Sequence, residues 1–343
     1  MPLRPRALLA AVVAAVLAPA LALSGCAAPG SPTTQPPTAS TTGVTIEHAF
    51  GETVVPANPK RVVTLGWGSS EAALALGVVP VAMEKKAYGG DENGVLPWIA
   101  DKLEELGAKT PTMITETKEA PAYEEILAVK PDLILATYSG ITKAQYTLLS
   151  DIAPTVAYPD KAWSTPWRDV ISIDGKALGK TVEAKTVLSD IDKVMAKQAA
   201  AHPELEGKTV AVVWDVSGTF YVYRPADSRV SFLFDLGLKS APAVEELAGG
   251  DSPFYYTLSY EELDKVKSDI LVDFANTGEE ASTFLAQSYA QAMPAVTTGA
   301  VASVTGIPLI SAVSPPTALS LTWGLDQYVA KLSAAAKAAD AAR

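Results

Sequence analysis

From residue 44 onward, short runs of β-branched and apolar residues alternate with stretches whose apolar positions recur at helical spacing. Val44–Glu47 and Thr53–Val55 flank Gly51 and predict a small hairpin. Arg61–Leu65 predicts a buried strand. A helix over Ser70–Leu76 follows, capped by Ser69 and stopped by Gly77, and Val78–Met83 predicts the next strand. A helix over Tyr123–Val129 ends at Pro131 and leads into strand Asp132–Ala136. A helix over Lys143–Leu149 leads into strand Thr155–Ala157. Strands and helices alternating over short connections are the pattern of a parallel α/β lobe.

Residues 167–201 carry two helical runs broken near Gly179. The longer, Thr181–Ala201, places Val182, Ala184, Val187, Leu188, Ile191, Val194 and Met195 close to a 3.6-residue period, and Pro203 follows its end. A helix of that size spans about 30 Å, enough to run along a two-lobed molecule. A second α/β set begins at Lys208. It comprises strand Val210–Val213, helix Arg229–Leu236 stopped by Gly237, short helix Glu261–Val266 and strand Asp269–Asp273. A closing helix is expected over Pro315–Ala336, since its Ser-Pro-Pro start suits proline in a first turn. The halves share a theme: YEEILAVKPDLILA (123–136) and YEELDKVKSDILVD (260–273) both read as an acidic-start helix, a turn and a buried strand. The expected fold class is α/β, two α/β lobes with parallel central sheets joined by one long α-helix. The expected boundaries are 44–180 for the N-terminal lobe, 181–204 for the bridging helix and 205–343 for the C-terminal lobe.

The first 43 residues read differently. Arg4 and Arg6 precede an apolar stretch, Ala7–Leu23, interrupted by Pro19, and then comes Leu23-Ser24-Gly25-Cys26. This is the layout of an export signal over residues 1–25. The tetrad resembles the lipobox of bacterial lipoproteins, which implies cleavage before Cys26 and a lipid on its sulfur. An uncleaved transmembrane anchor is the alternative for a stretch of this length. Residues 27–43, rich in Pro, Ser and Thr with no apolar period, predict a disordered or polyproline-like tether. Such a tether reaches on the order of 50 Å.

Charge and cysteine count narrow the function classes. The chain carries a net charge of −11, and loss of Arg4 and Arg6 with the signal would take it to about −13. No clustered basic footprint for nucleic acid exists. Cys26 is the only cysteine, so no intramolecular disulfide can form. His48 and His202 are the only histidines, which leaves almost no material for a Ser–His–Asp triad or a His-rich metal site. Gly66-Trp67-Gly68 follows a strand, but a dinucleotide loop needs a third glycine where Glu71 stands. Phosphate loops, nucleophile elbows and penicillin-recognising motifs are absent. No catalytic residue, resident metal or cofactor is expected.

In parallel α/β lobes, ligands gather at the carboxyl ends of strands. That rule selects Trp67, Tyr88, Tyr138, Trp163 and Trp167 in the first lobe. In the second it selects Trp214, Tyr221, Tyr223, Arg224, Arg229 and a loop over Phe254–Tyr256. The ligand-binding expectation rests on Trp67, Tyr88, Tyr138, Trp163, Trp214, Tyr223, Arg224, Arg229 and Tyr255. Aromatic faces suit a bulky ligand, and arginine suits its oxygen atoms.

Several stretches together resemble the iron–siderophore substrate-binding lipoproteins of ABC importers. They are HAFGETVVPANPKRVVTLGWGSSEAALALGVVPVAM, AYEEILAVKPDLILATYSG, DIAPTV, DSRVSFLFDLGL, LSYEELDKVKSDILVDF and SPPTALSLTWGLDQYVAKL, and the match covers about residues 44–335. The resemblance implies a non-enzymatic protein on the outer face of the cell membrane, lipid-anchored at Cys26 and acting as a monomer. It would capture a ferric siderophore between its lobes and deliver it to an ABC permease driven by a separate ATPase. It implies permease docking through Glu124 and Glu261. A ferric siderophore arrives with its iron already coordinated, in keeping with a chain nearly free of His and Cys. The scarcity of basic candidates favours a neutral or cationic hydroxamate-type chelate over a tris-catecholate. Cobalamin or haem on the same fold, and an exported cell-wall or siderophore-modifying enzyme, are the alternatives.

Overall fold

The structure, a computed structural model, describes residues 43–115, 117 and 119–343; the export signal, Cys26 and all of the tether but Gly43 lie outside them. The described residues open with an antiparallel hairpin, β1 (Val44–His48) and β2 (Gly51–Val55). The first α/β set comprises β3 (Val62–Thr64), α1 (Ser69–Ala75), β4 (Ala82–Glu84), α2 (Pro97–Glu105), β5 (Thr112–Ile114), α3 (Tyr123–Ala128), β6 (Leu133–Ala136), α4 (Lys143–Ile152) and β7 (Thr155–Ala157). Its five strands are all parallel, in the order β5-β4-β3-β6-β7. β3, β6 and β7 are buried along their whole length, as expected of strands covered on both faces.

Two helices follow, α5 (Trp167–Ala177) and α6 (Thr181–Ala201). The predicted long helix is therefore present, though Val182, assigned to its apolar stripe, is exposed. Ala184, Ile191 and Met195 are its buried residues. α6 packs on α5 on one side and on the C-terminal helix on the other.

The second set comprises β8 (Thr209–Val216), β9 (Thr219–Tyr223), α7 (Ser228–Phe234), β10 (Lys239–Ser240), α8 (Pro242–Glu246), β11 (Tyr255–Leu258) and β12 (Ile270–Ala275). It continues through α9 (Gly278–Leu285), α10 (Ser288–Gln291), α11 (Pro294–Thr297), β13 (Val301–Thr305), α12 (Ile307–Ala312) and α13 (Ser320–Ala341). β10, β8, β12 and β13 are parallel, as expected. β9 and β11 are antiparallel additions to this sheet, which the sequence reading did not foresee. The cause is local. Ser217 (φ 54°) and Gly218 (φ 74°) form a two-residue turn with positive φ at both positions, which folds β8 straight back into a hairpin. Two other expectations need correction. Glu261 lies in a 3₁₀ turn, Tyr260–Lys265. The closing helix starts at Ser320 and not at Pro315. Pro316 disfavours the α conformation at Pro315, and reciprocal bonds between Thr317 and Ser320 (2.9 and 3.1 Å) close the turn before the helix.

A single apolar cluster runs through both sets. It joins Val62 and Leu133 of the first sheet, Ile191 and Met195 of α6, Val210 and Ile270 of the second sheet, and Leu332 of α13. Each such side chain contributes roughly 1.5–3 kcal/mol through burial. Further contacts fasten the two sets. Trp98 of α2 meets Trp323 of α13 edge to face at 5.5 Å.

A candidate ligand cleft between the two lobes

A cleft of about 470 Å³ opens at the junction of the lobes. Its first wall is Tyr138, the loop Ala162–Pro166, Trp167 and Arg168; its second is Ala226–Arg229, Ser231, Phe254 and Tyr255. Tyr138 follows β6, while Arg229 and Tyr255 lie at the starts of α7 and β11. The cleft thus opens where the two sheets end, the place where α/β folds leave room for ligands.

Tyr138 and Trp163 meet edge to face at 5.9 Å. Trp163 adopts φ 59°, unusual for a bulky residue, and the residue is 47% exposed. The loop holds it there. The Trp163 N–H donates to Ser139 O at 3.0 Å, and Gly140 makes room for the indole: a Cβ at that position would stand 2.2 Å from Trp163 Nε1. Thr165 Oγ1 donates to Thr137 O at 2.6 Å and ties the other end of the loop to β6. Strain held by its surroundings is characteristic of ligand clamps.

The charged groups of the cleft are already engaged. Arg229 forms a bidentate pair with Asp227, Nε to Oδ1 at 2.8 Å and Nη2 to Oδ2 at 2.9 Å. Its guanidinium lies 4.1 Å above the Tyr223 ring. Asp227 also caps α7 by accepting the Arg229 N–H at 2.8 Å, and it is buried. Burial acts against the Arg229 charge, but Asp227 outweighs it and raises the pKa. Arg168 stacks on Trp167 at 4.1 Å and donates to Asp192 of α6 at 2.8 Å and to Asp235 at 2.9 Å. Burial pushes the phenol of Tyr138 up to about 12, with Asp227 adding to it. Burial pushes the Tyr223 phenol up to about 12 as well.

Four of the nine residues expected at the ligand line the cleft: Tyr138, Trp163, Arg229 and Tyr255. Tyr223 is buried beneath Arg229 and supports it. Trp67 borders a small apolar recess below the cleft, with Lys86 Nζ 4.8 Å from its ring. Tyr88 is partly buried and bonds Asn276. Trp214 lies inside β8 with its ring 5.8 Å from Phe274, because the strand extends past Val213. Arg224 is held by Glu245 at 2.7 Å, outside the cleft. Arg168 and Asp227 escaped the sequence reading. For Asp227 the signal was present, since an aspartate one position before a helix is a preferred N-cap.

Among the described residues no group of three His, Cys, Asp or Glu side chains is placed to hold a metal ion. His48 bonds Thr53 within the first hairpin at 2.9 Å, and His202 faces Glu204 at 3.2 Å. The Gly66-Trp67-Gly68 segment is not a phosphate seat. Gly68, and not Ser69, occupies the N-cap of α1, and the Glu71 behind it is buried and accepts from Trp98 Nε1 at 3.1 Å.

Glu124 and Glu261 are exposed in the first turns of α3 and of the 3₁₀ turn. Their neighbours are engaged: Glu125 accepts from Thr115 N and Oγ1 at 2.8 and 2.9 Å, and Glu262 accepts from Lys265 at 2.7 Å. The carboxylates of Glu124 and Glu261 have no partner among the described residues.

A profile described as periplasmic binding protein matches residues 62–307. A probable siderophore-binding lipoprotein of Bacillus subtilis, YfiY, is 33% identical over 242 residues, which cover 69% of this chain and 70% of that protein. The structure of Streptococcus pneumoniae PiaA in complex with ferrichrome superposes with a TM-score of 0.78 at 35% identity, covering 86% of this chain and 99% of PiaA. A periplasmic solute-binding protein of Mycobacterium smegmatis superposes with a TM-score of 0.74 at 29% identity, over 86% of this chain and 99% of that one.

Proposed function

Because the chain belongs to the periplasmic binding protein family, a family of solute carriers and not of enzymes, we propose that it captures a ferric siderophore in the interlobe cleft and delivers it to an ABC permease. The observation that carries this reading is the cleft itself. It presents aromatic faces from Tyr138, Trp163 and Tyr255 and guanidinium groups from Arg168 and Arg229, on walls contributed by both lobes. Such a lining grips a bulky chelate by stacking and by donating to its peripheral oxygens, while the chelate itself supplies all ligands to iron.

The protein works outside the cytoplasm, in keeping with its lipoprotein relatives. The Leu-Ser-Gly-Cys tetrad supports a lipid on Cys26, and residues 27–43 a tether between that anchor and a monomeric carrier. The lobes are read as 44–180 and 205–343, with 181–204 bridging them. Glu124 and Glu261 offer one free carboxylate on each lobe to basic residues of a permease.

Tryptophan fluorescence of residues 44–343, titrated with ferric hydroxamates, ferric catecholates, ferric citrate, cobalamin and haemin and corrected for ligand absorbance, tests this reading. Saturable quenching by a ferric chelate at submicromolar concentration is expected. Quenching by cobalamin or haemin alone would replace the ligand, and no saturable response to any of them would overturn the proposal.

A further inference from the structure

We infer that Asp227 is the charge selector of the cleft, setting it to accept ferric chelates without net negative charge and to disfavour anionic ones. The inference rests on the ferric-chelate reading above and adds the residue that decides which chelates enter.

Two guanidinium groups face the cleft, Arg168 and Arg229, and an arginine is the side chain best suited to a carboxylate or catecholate oxygen. Arg229 has both ends of its fork taken by Asp227, and the pair is stacked on Tyr223 and so held in place from below. Asp227 cannot swing away freely, because the same Oδ1 also receives the backbone N–H of Arg229 at the start of α7. Arg168 is shared between Asp192 and Asp235. The group therefore holds three carboxylates against two guanidiniums, one negative charge in excess, in a chain whose net charge is −11.

An anionic chelate could claim the full charge of Arg229 only by breaking the Asp227–Arg229 pair and leaving a buried carboxylate unpaired, which is costly; with the pair intact it would meet the excess negative charge. A neutral or cationic chelate can dock against the pair intact. Its peripheral oxygens can approach the outer N–H groups of the guanidiniums, and a pendant ammonium would meet the excess negative charge.

The test measures affinities by tryptophan quenching for three probes: a neutral ferric trihydroxamate, a ferric trihydroxamate bearing a pendant ammonium, and a ferric tris-catecholate. The native protein is expected to bind either hydroxamate about tenfold or more tightly than the catecholate. Asp227→Asn keeps a good N-cap but releases Arg229. It should improve the catecholate relative to the neutral hydroxamate by about tenfold or more. Tighter or equal binding of the catecholate by the native protein would overturn the inference, as would an unchanged ratio in Asp227→Asn. If the variant does not fold, the ratio in the native protein decides alone. Failure of every ferric chelate to bind would instead remove the ferric-chelate reading itself, and this inference with it.

Discussion

The phenol of Tyr88 donates a 2.9 Å hydrogen bond to Oδ1 of Asn276, just past β12 of the second sheet. Burial and nearby Glu280 push that phenol up to about 12, so it remains a donor throughout the physiological range. The bond complements the Trp98–Trp323 contact and the Arg168 bridges to Asp192 and Asp235, which also tie the first set of elements to the rest. Tyr88→Phe removes one partly buried bond and should lower unfolding stability by about 1 kcal/mol. The loss should appear as a lower urea midpoint with an unchanged slope. Since Tyr88 lines no wall of the cleft, the order of preference among ferric chelates should stay as in the native protein.

Asp174, on α5 beneath the cleft wall, is fully buried and accepts from Thr137 Oγ1 at 2.5 Å. Burial lifts its carboxyl to about 7, against an ordinary value of 3.8. A carboxyl raised in the folded state binds more protons folded than unfolded between those two values. Stability must then fall as pH rises from about 4 to about 7 and level off above. Asp174→Asn reproduces the shape of the protonated acid and removes this contribution. The variant should match the native protein at pH 4 and exceed it at pH 8 by up to a few kcal/mol. Equilibrium urea unfolding across that range checks it. Asp273 is raised in the same direction, to about 8, by burial and by Asp215, so the comparison is between the two proteins and not between either and a flat line.

Much of this fold was legible because its signals are local. The apolar spacing of Ala184, Ile191 and Met195, with Gly179 before and Pro203 after, marks α6 to the residue. The strand-end rule selects Tyr138, Trp163, Arg229 and Tyr255, which line the cleft because it lies where strands hand over to loops. Trp214 and Tyr223 stand off the cleft lining for one local reason: the Ser217-Gly218 turn makes β8 continue and reverse, so both residues lie in strands. Arg168 was not legible at all. Its partners stand 24 and 67 positions away, and only the packing of α5, α6 and α7 brings them to one guanidinium.

Gly140→Ala tests whether Trp163 is a wall of the site or only a surface residue. The added methyl would stand 2.2 Å from Trp163 Nε1, and the indole is the freer of the two groups because it is half-exposed. The ring should be displaced from Tyr138, with global stability changed by under about 1 kcal/mol. Affinity for the bound ferric chelate should fall by about tenfold, the scale of one lost aromatic face. Titration by fluorescence, alongside a thermal melt, separates the two effects. Unchanged affinity with a displaced indole would remove Trp163 from the ligand wall.

The proposed permease contact rests on a contrast between neighbours. Each lobe begins a helical turn with two adjacent glutamates, and in each pair the second is engaged, Glu125 by Thr115 and Glu262 by Lys265. The first of each pair, Glu124 and Glu261, has no partner among the described residues and is exposed. A carboxylate in the first turn gains a few tenths of a kcal/mol from the helix dipole, so removing both should cost at most about 1 kcal/mol of stability. Neither lies on the cleft, so chelate affinity should be that of the native protein. Paired carboxylates meeting basic residues of a membrane partner contribute through complementary charge, and losing both should cost far more there than in the isolated protein. Glu124→Ala with Glu261→Ala should therefore abolish uptake of the radiolabelled ferric chelate by cells while leaving its binding in solution intact. Each single variant should give a partial loss. Native uptake by the double variant would remove these two residues from the docking surface, and loss of binding in solution would place them in the ligand site instead.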